Sequence, residues 1–291
     1  PPYMHYGVVS ATGEQLSLIP IELPGPRLPH DMAITEHYSI LMDLPVCVDT
    51  EALQRGRWRS VYRPELGSRF AVIPRHGKAE DVRWFKAEPC YIYHVVNSWE
   101  EGDEVIMVAH KVAKPVANSD ESTASEFERM LQNLQMNAEL WEWRFNLQTG
   151  ETAERCLDTV NAEFPTTNPR DQGYPTRYGY AVTIGPLPTL RFDGIRKYDF
   201  ASGEHQEVRF GPGIYGSESP FAPSTVATAE DQGYLLSFVQ DELNERSELW
   251  IYDARNLQAG PCTRLAIPQR VPLGFHACWV EGKDLKAKAP A

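Results

Sequence analysis

Three segments of the chain, "WRFNLQTGETAERCL", "RKYDFASGEHQEVRF" and "WIYDARNLQAGPCTRLAI", follow one plan: a strand-like run, an Asn or Asp, a short turn with glycine, and a second strand-like run. The Asn146, Asp199 and Asp253 positions fall about 53 residues apart, a spacing in the range of a four-stranded propeller blade. "YGVVSATGEQLSLIPI" and "RFAVIPRHGKAEDVRWF" are less regular copies of the same plan. Between them lie more β-branched and aromatic runs broken by turns, among them "YSILMDLPV", "YIYHVVN", "EVIMVAHKV" and "GYLLSFVQDE". The chain therefore reads as all-β. A β-sandwich can be built from similar hairpins, but the period favours a β-propeller.

One segment departs from the β pattern. In "SEFERMLQNLQMNAELWEW" (125–143), Phe127, Met130, Leu131, Leu134 and Leu140 fall mostly on one face of an amphipathic helix, and Ser125 with Glu128 can form its capping box. The preceding "VANSDESTAS" is polar, so residues 115–143 are expected to be a loop plus helix inserted on one propeller face.

Composition narrows the function. With 291 residues and 42% hydrophobic content there is material for one large domain or two small ones, and no apolar run is long enough to span a bilayer. A net charge of −12 with no Lys/Arg cluster argues against nucleic acid, an anionic membrane surface or a polyanionic substrate. The five cysteines are far apart and lack any CxxC pair, which indicates neither a disulfide framework nor a thiolate zinc site and fits a cytoplasmic protein.

Eight histidines remain to be sorted. A single histidine is more often structural than a ligand. His76 and His205 sit in hairpin turns and His110 precedes a lysine, so all three read as solvent-facing; His5 and His37 carry no functional context. His30, His94 and His276 differ. They are distant in sequence, have apolar or aromatic neighbours, and each reads as lying on a strand or at its beginning. Inner strands of a propeller face one axis, so distant histidines can converge there. Neutral imidazoles without thiolates suit iron, zinc, copper or nickel, so residue type alone leaves the metal open.

The strings "LPGPRLPHDMAITEHY", "WFKAEPCYIYHVVNSWEEGDEV", "EFPTTNPRDQGYPTRYGYA", "GSESPF" with "ATAEDQGYLLSFVQDE", and "IPQRVPLGFHACWV" resemble, in order, the signature blocks of the carotenoid cleavage oxygenase family. That family includes the lignostilbene dioxygenases and the retinal-pigment-epithelium isomerohydrolase. The resemblance implies a seven-bladed β-propeller holding a non-haem Fe(II) on four histidines, with His30, His94 and His276 matching the second, third and fourth. Glu163 and Glu218 match glutamates that accept the ring N–H of ligand histidines. The implied reaction is the O2-dependent cleavage of a C=C bond in a carotenoid, apocarotenoid or stilbene-type alkene to two carbonyl products. Phe275, adjacent to His276, is expected to line the substrate tunnel.

The block carrying the first histidine has no match from "PPYMHYGVV" onward, so the chain is expected to be the C-terminal part of a longer protein, with about four to five blades. Alone it is expected to be poorly folded and inactive, because an unclosed propeller exposes sheet edges. His37 stands where the family more often has asparagine, and Ser219 where proline usually follows the glutamate. Beyond the core-facing stripe of 125–143 the sequence shows no apolar surface helix, which tilts the expected substrate toward a smaller, soluble aromatic alkene over a membrane-borne carotenoid. Two other uses stay open: a non-catalytic propeller binding module, and isomerohydrolase chemistry on the same iron.

Overall fold

Period-two runs and glycine turns fold this chain into antiparallel meanders. The structure is a computed structural model and describes residues 1–115, 136–186, 189–272 and 274–285. The chain separates into two compact units. The first comprises Pro1–Pro165, Asp171–Thr176 and Ile184–Leu190; the second comprises Thr166–Arg170, Arg177–Thr183 and Arg191–Ala291.

In the first unit, β1 (Tyr3–Val9) and β2 (Gln15–Glu22) form a hairpin whose turn contains Gly13 at φ 87°. Then follow β3 (Ala33–Ile34), β4 (Tyr38–Asp43), a small β5–β6 hairpin (Val46–Val48 and Ser60–Tyr62), β7 (Ser68–Pro74) and β8 (Arg83–Ala87). One sheet has the order β3-β4-β7-β8. A second consists of β9 (Tyr91–Glu101), β10 (Glu104–Val112), β11 (Ala138–Asn146) and β12 (Thr152–Asp158), each strand beside the next. Strand β13 (Ala162–Thr166) follows.

The two sheets supply one core, in which the Phe70 and Phe145 ring centroids are 5.2 Å apart and those of Phe85 and Phe145 are 5.3 Å apart. Strand β10 is covered on both faces: residues 105 to 110 are all 0% exposed, as a continuous apolar run predicts for a central strand.

The expected helix over 125–143 is corrected at its end. Residues 125–135, and the polar loop at 116–124, lie outside the described residues. Residues 138–143 are strand: Leu140 and Trp143 belong to β11, paired along its length with β10. "AELWEWRFN" repeats with a period near two, and Leu140, six residues beyond Leu134, follows that strand period.

The second unit carries β14 (Tyr178–Ile184), β15 (Phe192–Asp199) and β16 (His205–Arg209), in that order in their sheet. Then come β17 (Ile214–Tyr215), β18 (Phe221–Pro223), β19 (Gly233–Asp241), β20 (Arg246–Asp253) and β21 (Pro261–Ile267), joined as β17-β19-β20-β21 with β18 also on β19. Its core gathers Tyr180, Ile195, Phe210, Phe221, Leu235, Trp250 and Tyr252.

The repeated Asn/Asp has a common physical role. Asn146, Asp199 and Asp253 end β11, β15 and β20, and each side chain accepts backbone N–H groups of the turn that follows. The glycine that completes each turn, Gly150, Gly203 or Gly260, has φ between 75° and 79°, where a side chain is strained.

Gly194 on β15 is small for another reason. A Cβ there would collide with the Val208 carbonyl oxygen and come within 2.8 Å of Thr183 Oγ1. Gly194→Ala is expected to destabilise the protein by about 1–3 kcal/mol, seen as a lower urea midpoint; an unchanged midpoint would mean the sheet relaxes freely here.

Candidate metal centre

His30 precedes β3 in a segment without regular structure, and Pro24, Pro26 and Pro29 restrict that segment's backbone. Side-chain and backbone contacts then fix it. Buried Arg27 pairs with Asp43 at 2.9 Å, Leu28 N–H donates to Val46 O at 3.0 Å, and Tyr91 O–H donates to Leu28 O. One residue past His30, the Asp31 carboxylate accepts Met32 N–H at 2.7 Å and Val95 N–H at 2.9 Å. Asp31 thus ties the His30 segment to the strand that carries His94. The His30 and His94 rings meet edge-on with centroids 5.1 Å apart, and a ring nitrogen of each lies within 4.8 Å of the other. Tyr93 packs edge-on against His30 at 5.3 Å.

His94 sits where the β9–β10 pairing is irregular. Ala109 pairs with Val95 and Lys111 with Ile92, so Tyr93 and His94 together oppose the single residue His110. Such a bulge interrupts alternation and re-aims a side chain.

His94 Nδ1 lies 2.7 Å from Glu163 Oε2, and the Glu163 side chain is 0% exposed. Phe164 N–H donates to the same oxygen, and the Phe164 ring lies against the imidazole at 4.8 Å between centroids. A carboxylate at Nδ1 selects the tautomer with its proton there, which leaves the Nε2 lone pair for a metal.

His276 in the second unit has the same arrangement. Its Nδ1 lies 3.2 Å from Glu218 Oε2, and that oxygen also accepts Ala277 N–H at 2.6 Å. Here the expectation of a strand position is corrected: His276 lies beyond β21 in a segment with no strand pairing, where its backbone is held partly by Glu218. Phe275 is 55% exposed and lies edge-on to the His276 ring at 5.9 Å.

Of the remaining histidines, His5, His37, His76 and His205 are exposed, and His37 Nδ1 bonds Glu100 at 2.9 Å. His110 overturns its reading as solvent-facing: it is 0% exposed, at the centre of β10. The signal was available in the unbroken apolar run around it; the following Lys111 is itself only 8% exposed, capped over Trp141 at 3.9 Å and paired with Glu154 at 3.1 Å. Asp31 and the aromatic neighbours Tyr93 and Phe164 were also passed over, although Asp31 directly follows His30.

Burial pushes the His110 imidazole down from 6.5 to about 4, against the opposing pull of Glu163 and with a further lowering by His94. The unfolded chain therefore binds the extra proton first as pH falls below 6.5. Stability is complete above that pH and is lost down to about pH 4, by at most about 3 kcal/mol. Thermal denaturation of wild type and His110→Leu between pH 7.5 and 5 is expected to show wild type losing melting temperature relative to the variant as pH falls; a pH-independent difference would contradict it.

A protein built of these residues can hold a metal by neutral nitrogen donors: the donor set fits a late first-row divalent ion, and the buried carboxylate on His94 fits a ligand whose tautomer must be fixed.

Residues 1–281 match the family model described as retinal pigment epithelial membrane protein. The chain is 33% identical to the carotenoid 9,10(9',10')-cleavage dioxygenase 1 of Phaseolus vulgaris, over 99% of this chain and 55% of that protein. It is 35% identical to the carotenoid 9,10(9',10')-cleavage dioxygenase of Crocus sativus, over 98% and 54%. The structure aligns with lignostilbene dioxygenase of Pseudomonas brassicacearum at a TM-score of 0.84 and 27% identity, covering 96% of this chain and 60% of that one. The all-β propeller expectation is borne out by this likeness. The chain spans about half the length of the curated relatives it matches. With a family model covering nearly all of its length, the chain belongs to the retinal pigment epithelial membrane protein family, which includes the carotenoid cleavage oxygenases.

Proposed function

We propose that the gene product carrying this chain is a non-haem Fe(II) dioxygenase that cleaves a C=C bond of a carotenoid, apocarotenoid or stilbene-type alkene into two carbonyl products. The observation that carries this reading is the paired construction of His94 on Glu163 and His276 on Glu218, each with Nδ1 on a carboxylate. A binding module has no use for two such pairs. His30, His94 and His276 are the proposed ligands within this chain. The resemblance implies a fourth histidine ligand.

An Fe(II) held by His30, His94 and His276 would supply the activation of O2 for cleavage of the alkene. The residues of this chain do the rest. Glu163 and Glu218 hold the Nδ1 protons and keep the ligand nitrogens basic. Tyr93, Phe164 and Phe275 are apolar surfaces beside the ligand rings, suited to orienting an alkene and excluding water. Among the described residues no helix is long and apolar enough to cross a membrane.

Because the relatives at 33% and 35% identity are named for carotenoid cleavage, the substrate screen starts with carotenoids and continues to stilbenes. Turnover under 18O2 separates the readings: the dioxygenase puts labelled oxygen into its carbonyl products, an isomerohydrolase does not, and a binding module turns nothing over. Phe275→Ala is expected to lower the rate severalfold or to shift the cleaved bond, measured by product analysis; an unchanged rate and position would remove Phe275 from the tunnel.

A further inference from the structure

His110 and Glu163 share an enclosed polar environment that the mechanism above leaves unused. Both side chains are 0% exposed. Glu163 commits Oε2 to His94 and to Phe164 N–H, while Oε1 has no hydrogen-bond partner among the described residues. Neither ring nitrogen of His110 has one either. A buried polar atom left without a partner costs about 1–3 kcal/mol, and native proteins rarely leave several such atoms side by side.

The register places His110 beside His94: the bulge that turns His94 also sets His110 opposite Tyr93 and His94, and His94 in turn lies 2.7 Å from Glu163. Electrostatics agree, since Glu163 is the charge that acts on His110 most strongly, followed by His94 and Asp158. A neutral imidazole always carries one N–H donor, and a carboxylate oxygen accepts.

We propose that His110 is a positioning residue for Glu163, its ring N–H reaching Oε1 across one enclosed water, while Oε2 takes the His94 Nδ1 proton. The carboxylate is then gripped from both sides. It cannot rotate away from His94. His110 touches neither metal nor substrate; it acts through Glu163 on the orientation and basicity of the His94 ring. The inference rests on the Fe(II) reading.

The test is a competition titration of Fe(II), with Co(II) as a spectroscopic probe, on the whole gene product. His110→Leu removes the donor at similar volume and is expected to weaken metal binding by about three- to tenfold, less than the loss of a direct carboxylate partner. His110→Gln, which restores a donor, is expected to recover most of the affinity. In a Glu163→Gln background, His110→Leu is expected to add less than about twofold, because the two act in series.

Leu binding metal as wild type does, or losing affinity by the same factor in both backgrounds, overturns the inference while leaving the metal site standing. A wild-type protein that binds neither metal overturns both. Should the Leu variant fold poorly, His110→Met in the same cycle gives the same reading.

Discussion

Replacing Glu163 by glutamine is expected to lower the Fe(II) affinity of the gene product by about 10- to 100-fold. Glutamine keeps the size of the side chain and one carbonyl oxygen for His94 Nδ1, so the substitution removes charge while preserving shape. The carboxylate lies 2.7 Å from Nδ1 and is 0% exposed, so no solvent screens its effect on the ring. Without it the His94 nitrogen facing a metal is less basic and its tautomer is no longer enforced. Glu218→Gln is expected to follow in the same direction with a smaller loss, because His276 is 54% exposed and its Nδ1 contact is longer, 3.2 Å. A competition titration at fixed pH measures both. Equal losses, or none at Glu163, would contradict the electrostatic account.

Trp143→Ala is expected to cost about 3–5 kcal/mol of stability. Trp143 on β11 is 0% exposed and lies in the first unit's core, with its ring centroid 5.9 Å from that of Phe70. Its indole N–H donates to Glu154 Oε2 at 3.0 Å, the oxygen that also receives Lys111. Alanine leaves a cavity between two sheets and removes one donor from a partly buried carboxylate. Trp143→Phe retains most of the volume and is expected to lose markedly less. Urea denaturation of the two variants measures the difference; equal midpoints would mean the cavity collapses without cost.

Much of this architecture is visible in the chain because strands and turns are local. "WRFNLQTGETAERCL" specifies a strand, an Asn that accepts turn N–H groups, and a glycine at positive φ, and the structure uses each residue in that role. The carboxylate partners of His94 and His276 were legible only through resemblance: Glu163 and Glu218 lie 69 and 58 residues from their histidines, and no local rule connects them. Leu140 was misplaced because a helical spacing was extended across a change of period. His110 was misread because a lysine beside it suggested solvent, whereas that lysine is itself covered by Trp141. In a strand packed on both faces, the neighbours in sequence say little about exposure; the neighbours across the sheet decide it.

The proposed centre is one iron held by histidines from this chain. Elemental analysis of the purified gene product tests it most directly: the account predicts about one Fe per chain, with occupancy lost on His30→Ala, His94→Ala or His276→Ala. A well-folded protein without iron, or one that retains it in all three variants, would contradict the account.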